Sequence, residues 1–102
     1  VGPFTSSDTL ASAQEAVTAK HVMISPASTA PAITDLNDNG FIFRTTMSDA
    51  FQGTVMAVLA DEKGMDNVFT VFRNDAYGQG LSDVFIKKFK GLGGHTESMA
   101  YD

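Results

Sequence analysis

Apolar and polar positions follow two rhythms along this chain. Short consecutive apolar runs occur at Val22-Met23-Ile24, Phe41-Ile42-Phe43 and Val68 to Phe72. Their length and apolarity predict buried strands over His21–Ser25, Phe41–Thr45 and Val68–Phe72. Between and around them the spacing turns helical. Asp8 to Ala19 carries Ala, Gln, Glu, Leu and Val with no internal Gly or Pro, which predicts a helix with Ser6, Ser7 or Asp8 as N-cap. From Ser48 to Ala60, Phe51, Val55, Val58 and Leu59 recur on one helical face. From Asp75 or Ala76 to Leu92, a second stripe of Leu81, Val84, Phe85, Phe89 and Leu92 is closed by Gly93-Gly94, a C-terminal stop. A brief helical turn around Thr29 to Thr34 and a last strand over Thr96–Tyr101 complete the series.

Strands alternating with helices are the pattern of a parallel sheet with helices on its faces. The expectation is therefore an α/β fold, a three-layer parallel sheet with helices on both faces. Residues 1–102 show no internal repeat and no interdomain linker, so they read as one domain. Val1-Gly2-Pro3-Phe4 reads as the end of a strand entering a loop with nothing before it. A partial domain, cut from something longer, is expected.

Bulk composition narrows the function. The chain is 43% hydrophobic and 19% charged, as in ordinary globular proteins. A net charge of -5 gives no field for holding phosphates, and Lys87, Lys88 and Lys90 fall together only at the end of one helix, which argues against nucleic acid. No apolar run reaches the roughly 18 residues of a membrane span, and no basic-then-apolar signal segment opens the chain. There is no cysteine, which excludes a thiol nucleophile, a Cys-based zinc site and a disulfide framework.

In parallel α/β sheets, ligands bind beyond the carboxyl ends of strands, near helix N-termini whose free N–H groups favour anions. Three such ends carry polar loops here: FTSSD, SPAST and RNDAYGQG. Ser6-Ser7 and Ser28-Thr29 each follow a strand and precede a helix, so their hydroxyls and N–H groups could converge on one carboxylate, or could simply cap helices. Pro26 and Pro31 stiffen the second loop. Tyr77 stands at a helix start, where a ring can project into a cleft or pack structurally. Gly78-Gln79-Gly80 fails as a dinucleotide fingerprint because Asp83 holds the third glycine position. Asp35, Asn37, Asn39, Gly40 and Ile42 match half of a calcium loop, but Thr46 stands where a bidentate Glu is needed; a turn rich in Asn and Asp explains the stretch better. His21 and His95 join no catalytic motif. Catalytic residues, metal ligands and cofactors are therefore not expected.

GPFTSSDT, VMISPASTAPAIT, FIFRTTMSDAFQG and RNDAYGQGL together resemble, in order and over nearly the whole chain, the first lobe of type I periplasmic binding proteins of the leucine/isoleucine/valine-binding kind. Those are substrate-binding subunits of amino-acid ABC importers. The resemblance implies that Ser6 and the hydroxyl and N–H of Thr29 hold an amino acid's carboxylate. It also implies that the Ala27 carbonyl and the Thr29 hydroxyl meet its ammonium, while Ser28 lines the same loop and Tyr77 closes over the ligand; Ser7 stays a candidate from its place in the first loop. Its further implications are an extracytoplasmic parent protein, a membrane permease as partner and no catalysis. Thr5 stands where some members carry a disulfide cysteine. On this reading the first strands of the lobe, the second lobe and the acidic residue completing the ammonium site are missing. A hydrophobic sheet edge would then be exposed and favour a homodimer. Two readings stay open beside it: a ligand-sensing domain of the same fold in a receptor or regulator, and an α/β enzyme fragment that binds a phosphate-containing ligand.

Overall fold

A computed structural model describes residues 1–102. Helix α1 spans Ser6–Thr18, strand β1 Met23–Ser25, a 3-10 turn Pro31–Ile33, strand β2 Ile42–Arg44, helix α2 Asp49–Glu62, strand β3 Asn67–Arg73, helix α3 Ala76–Gly91 and strand β4 His95–Tyr101. Every predicted helix and internal strand is present, with ends shifted by one or two residues. Val1–Phe4 is irregular rather than a strand, because its one backbone-to-backbone bond with β1 runs from the Gly2 N–H to the Ile24 carbonyl, 2.6 Å.

The α/β class with parallel strands holds, but the strands do not merge into one sheet. β1 pairs with β2 and β3 with β4, both in parallel, as two separate two-stranded sheets. Each has its own small core. Ala13, Met23, Ala30, Ile33 and Ile42 form one cluster, and Ala57, Ala60, Phe85 and Phe89 the other. The radius of gyration is 15.3 Å and the extents are 49 × 25 × 19 Å, against about 13 Å for a compact chain of this length. Two halves side by side account for the difference.

Helices cover one face of each sheet, so the expected three layers are not completed. In the first half Met23 and Ile42 point into the core under α1, while Ile24 and Phe43 on the opposite face are exposed. In the second, Val68 packs into the α2–α3 core, while Phe69, Val71, Met99 and Tyr101 are open to solvent. Strand alternation produces both outcomes, since neighbouring side chains point to opposite faces.

The α2 stripe is the clearest departure from the sequence pattern. Phe51, Val55 and Leu59 face outward, and the buried side is Asp49, Gly53, Ala57 and Ala60. The small residues win because α3 comes close: a Cβ on Gly53 would stand 2.8 Å from Val84 Cγ1 and 3.1 Å from the Leu81 carbonyl. The α3 stripe behaves as expected, with Phe85 and Phe89 buried and their rings stacked at 5.5 Å. Helix α3 ends where Gly93 takes φ +99°, with its N–H donating to the Lys90 carbonyl and that of Gly94 to the Phe89 carbonyl, so the two glycines satisfy the last turn.

Phe89 is fully buried and anchors the second core. Phe89→Ala is expected to lower stability by about 3–5 kcal/mol, read as a lower denaturation midpoint; a change within experimental error would show that this core does not hold the half together.

Candidate functional site

The loops that follow β1, β2 and β3 and the first turns of α1, α2 and α3 meet around one cavity. Thr5 caps α1 by accepting from the Asp8 N–H at 3.2 Å, so the cap is one residue earlier than the sequence suggested. That leaves Ser6 and Ser7 in the first turn, where N–H groups have no intrahelical partner. Asp75 caps α3: one carboxylate oxygen accepts from the Gly78 N–H at 2.8 Å and the other meets Arg73 Nε at 3.2 Å. Gly78 is needed there, because a Cβ would come within 2.2 Å of the Arg73 carbonyl oxygen.

Between the halves lies a cavity of about 290 Å³ lined by Phe4, Thr5, Ser6, Ser7, Ala27, Thr29, Gln52, Asp75 and Tyr77. Five of the six residues singled out from the sequence thus face one space: Ser6, Ser7, Ala27, Thr29 and Tyr77. Its size, near the lower end of ligand pockets, suits a small solute. Two contacts hold the halves in register beside it. The Ala76 N–H donates to Ser7 Oγ at 3.3 Å, and Gly80 lets α3 approach the 3-10 turn, since a Cβ there would sit 2.8 Å from Pro31 Cδ. Gly78 and Gly80 are therefore packing glycines.

Ser28 is corrected by the structure. It is 1% exposed and absent from the lining. Its Oγ lies 2.7 Å from both Thr9 Oγ1 and Ser25 Oγ and 3.2 Å from the Phe4 carbonyl. This buried hydroxyl cluster ties the SPAST loop to α1 and to the segment before it, as Ser25 Oγ does by donating to the Pro3 carbonyl at 2.8 Å. Satisfying those polar groups internally is what burial demands.

The same network sorts the donors of the loop. The N–H groups of Ala27 and Ser28 donate to Ser25 Oγ, and that of Ala30 to Ser6 Oγ at 3.1 Å. The Thr29 N–H is left without a partner in the chain. The Thr29 hydroxyl donates to Asp49 Oδ2 at 2.7 Å, and the Asp49 N–H returns to the Thr29 carbonyl at 2.9 Å. Arg44 steadies the far side of the loop by donating to the Ala30 carbonyl at 2.9 Å.

Sequence reasoning missed Asp49, Gln52 and Asp75. The signal was there for the first two: MSDAFQ follows a strand and opens a helix, the same rule that selected FTSSD and SPAST. The half calcium loop is a turn. Asp38 accepts from the Gly40 and Ile42 N–H groups at 2.9 and 3.2 Å, and Asn39 and Gly40 take positive φ. A larger groove of about 820 Å³ runs along the free edge of β3, lined largely by apolar residues such as Met56, Leu59, Met65, Phe69, Val71 and Leu81. It is an unpaired strand edge rather than a gathering of polar groups, so size alone does not make it the site.

Burial pushes the Asp49 carboxyl above its ordinary 3.8, against the opposing pull of the Thr29 hydroxyl and the Arg44 charge.

This fold and this cleft define a ligand-binding domain. The pattern of the receptor family ligand binding region matches residues 1–99, and the chain belongs to that family, whose members are type I periplasmic binding protein-like. Among solved structures, the leucine binding protein LivK of Thermotoga maritima superposes with a TM-score of 0.89 at 36% identity, over 98% of this chain and 29% of that one. An ABC transporter substrate-binding protein of Desulfitobacterium hafniense, solved in complex with Leu, gives 0.81 at 28% identity over 99% and 30%. The chemotactic signal transduction system substrate-binding protein BasB of Halobacterium salinarum is 32% identical over 94 residues, 86% of this chain and 23% of its own length. An uncharacterised protein of Methanocaldococcus jannaschii is 36% identical over 78 residues, 72% of this chain and 19% of that protein. The chain spans less than a third of each. LivK, the Desulfitobacterium hafniense protein and BasB are all binding proteins by name.

The raised Asp49 pKa carries a sign for stability. The folded state binds the extra proton between the unfolded and folded pKa values, so stability from this group is present at acid pH and lost as pH rises through the folded pKa. Asp49→Asn removes that dependence. Its melting temperature relative to wild type is expected to climb from pH 4 toward neutrality; a difference that stays flat or falls would show that Asp49 is not buried as described.

Proposed function

We propose that this chain forms part of an extracytoplasmic solute-binding protein that delivers an amino acid to an ABC importer, without catalysis. The observation that carries the reading is the cleft itself, where unpartnered N–H groups at helix starts and at Thr29 lie beside the Ser6 hydroxyl and the Tyr77 ring. Donors fixed on rigid elements suit a carboxylate. The Ala27 carbonyl supplies an acceptor for an ammonium, and Tyr77, from the opposite half, covers the ligand. The likeness to the leucine binding protein LivK and to the leucine complex supports an aliphatic amino acid as the ligand class. The cavity lies between two halves of the chain that each have their own sheet and core.

The likeness to BasB supports a second reading, in which the loaded protein is read by a sensory partner rather than a permease. Both readings use the same cleft and place the parent protein outside the cytoplasm. No helix of the chain is long and apolar enough to cross a membrane.

Calorimetric titration of the full parent protein with a panel of L-amino acids and with inorganic phosphate tests the reading. Saturable binding of an aliphatic amino acid, weakened by Tyr77→Ala, is the expected outcome; binding of phosphate alone would overturn it. For the isolated chain, the apolar free edge of β3 and the open face of Phe69, Val71, Met99 and Tyr101 lead us to propose association of two copies. Sedimentation is expected to show mass rising with concentration, and a monomer at all concentrations would refute it.

A further inference from the structure

Helix α2 presents an outer face that nothing else in the chain covers. Its small residues Gly53, Ala57 and Ala60 are buried, while Phe51, Val55 and Leu59 remain 63%, 52% and 52% exposed. Side chains four residues apart form one row along a helix. From Ala50 to Ala60 the helix carries no charged residue. The other two helices do turn charges outward: Asp8 and Glu15 on α1, and Asp83, Lys87 and Lys90 on α3, are all exposed. An aromatic and aliphatic row without charge is the composition of an interface centre rather than of a solvated helix face.

The row is also symmetric about Val55. Phe51 and Leu59 stand four residues to either side of it, and Ser48 and Glu62 seven residues to either side, about two helical turns away and so on the same face. A contact between identical copies needs this self-complementarity. In an antiparallel pair of α2 helices with a two-fold axis at Val55, Phe51 of one copy meets Leu59 of the other. The ends match too. Asp61 and Glu62 are exposed in the last turn, with Lys63 at the C-cap, although acids are disfavoured beside the carbonyls that end a helix. Across the axis Glu62 faces the Ser48 N-cap of the second copy, where the helix dipole favours an acid. The Ser48 hydroxyl accepts from the Ala50 N–H at 3.2 Å and keeps its own proton to donate.

We propose that the outer face of α2 is the contact surface for a second copy of the protein, packed antiparallel about a two-fold axis at Val55. This surface is distinct from the β3 edge: Met56 and Leu59 border the groove there, but Phe51 and Val55 do not. A helix of 14 residues is about 21 Å long and 10 Å wide. One such face falls short of the roughly 800 Å² that each partner buries in a standard interface, so the dimer is reversible and depends on concentration.

The test uses the full parent protein. Sedimentation is expected to show a reversible dimer, weakened about tenfold or more by Phe51→Glu or Leu59→Lys, each of which buries an unpaired charge in the contact. An equal mixture of those two variants should dimerise more tightly than either alone, because only the mixed pair sets a carboxylate against an ammonium. Glu62→Lys should also weaken the dimer. Val55→Cys, on the axis, should give a disulfide-linked dimer on oxidation, whereas Gln14→Cys, exposed on α1, should not. A parent protein that is monomeric at all concentrations would overturn the proposal. So would a dimer indifferent to Phe51→Glu, or no more cross-linking through Val55→Cys than through Gln14→Cys. Each of these results leaves the amino-acid reading of the cleft standing. Should the charged variants not fold, the two cysteine variants decide.

Discussion

The structure turns on the double tie between Thr29 and Asp49. One end belongs to the loop after β1 and the other to the first turn of α2, so a single pair of hydrogen bonds, 2.7 and 2.9 Å long, joins the first half of the chain to the second. Everything that faces the cleft is placed relative to that joint. Thr29 is held at the cavity wall, the start of α2 brings Gln52 beside it, and the packing of α3 against α2 then carries Asp75 and Tyr77 to the opposite wall. The contact of Gly80 with Pro31 and the bond from Ala76 to Ser7 close the same seam from the other side. A cleft built this way has walls on two separate cores, and its width depends on a few close approaches rather than on one continuous sheet.

Much of this was legible because it rests on local chemistry. Alternating rhythms gave the order of helices and strands, since β-branched and aromatic runs and 3.6-residue stripes leave direct traces in a sequence. The strand-end rule brought Ser6, Ser7, Ala27, Thr29 and Tyr77 forward as candidates, and the chain folds them around one cavity. What local chemistry does not encode is which strands pair. Nothing in Phe41–Thr45 or Val68–Phe72 says that they lie in different sheets, so one three-layer sheet was the economical expectation. The α2 stripe misled for a related reason: helical periodicity reports two faces of a helix, and which one meets α3 was decided by Gly53, Ala57 and Ala60, whose small size permits close packing that a hydrophobicity pattern does not register.

Ser28 and Asp49 make a complementary pair of lessons about polar residues. Ser28 looked like a ligand contact by its position in SPAST, yet its hydroxyl is consumed by Thr9, Ser25 and Phe4; it stiffens the loop that Thr29 presents. Asp49 stands in the first turn of α2, where an acid is ordinarily favourable beside the helix N-terminus, yet it is buried with one oxygen unpartnered. In both, burial and hydrogen-bond partners decide the role, and neither is visible until the tertiary contacts are known.

The central claim is that small ligands are held where the strand-end loops of the two halves meet. Amide NMR of the isotope-labelled parent protein, with L-leucine added in steps, addresses it directly. Signals of Ser6, Thr29 and Tyr77 are expected to shift together, reporting both walls of one cleft. Shifts confined to Phe69, Val71 and their neighbours along the β3 edge, with the strand-end loops unmoved, would contradict it.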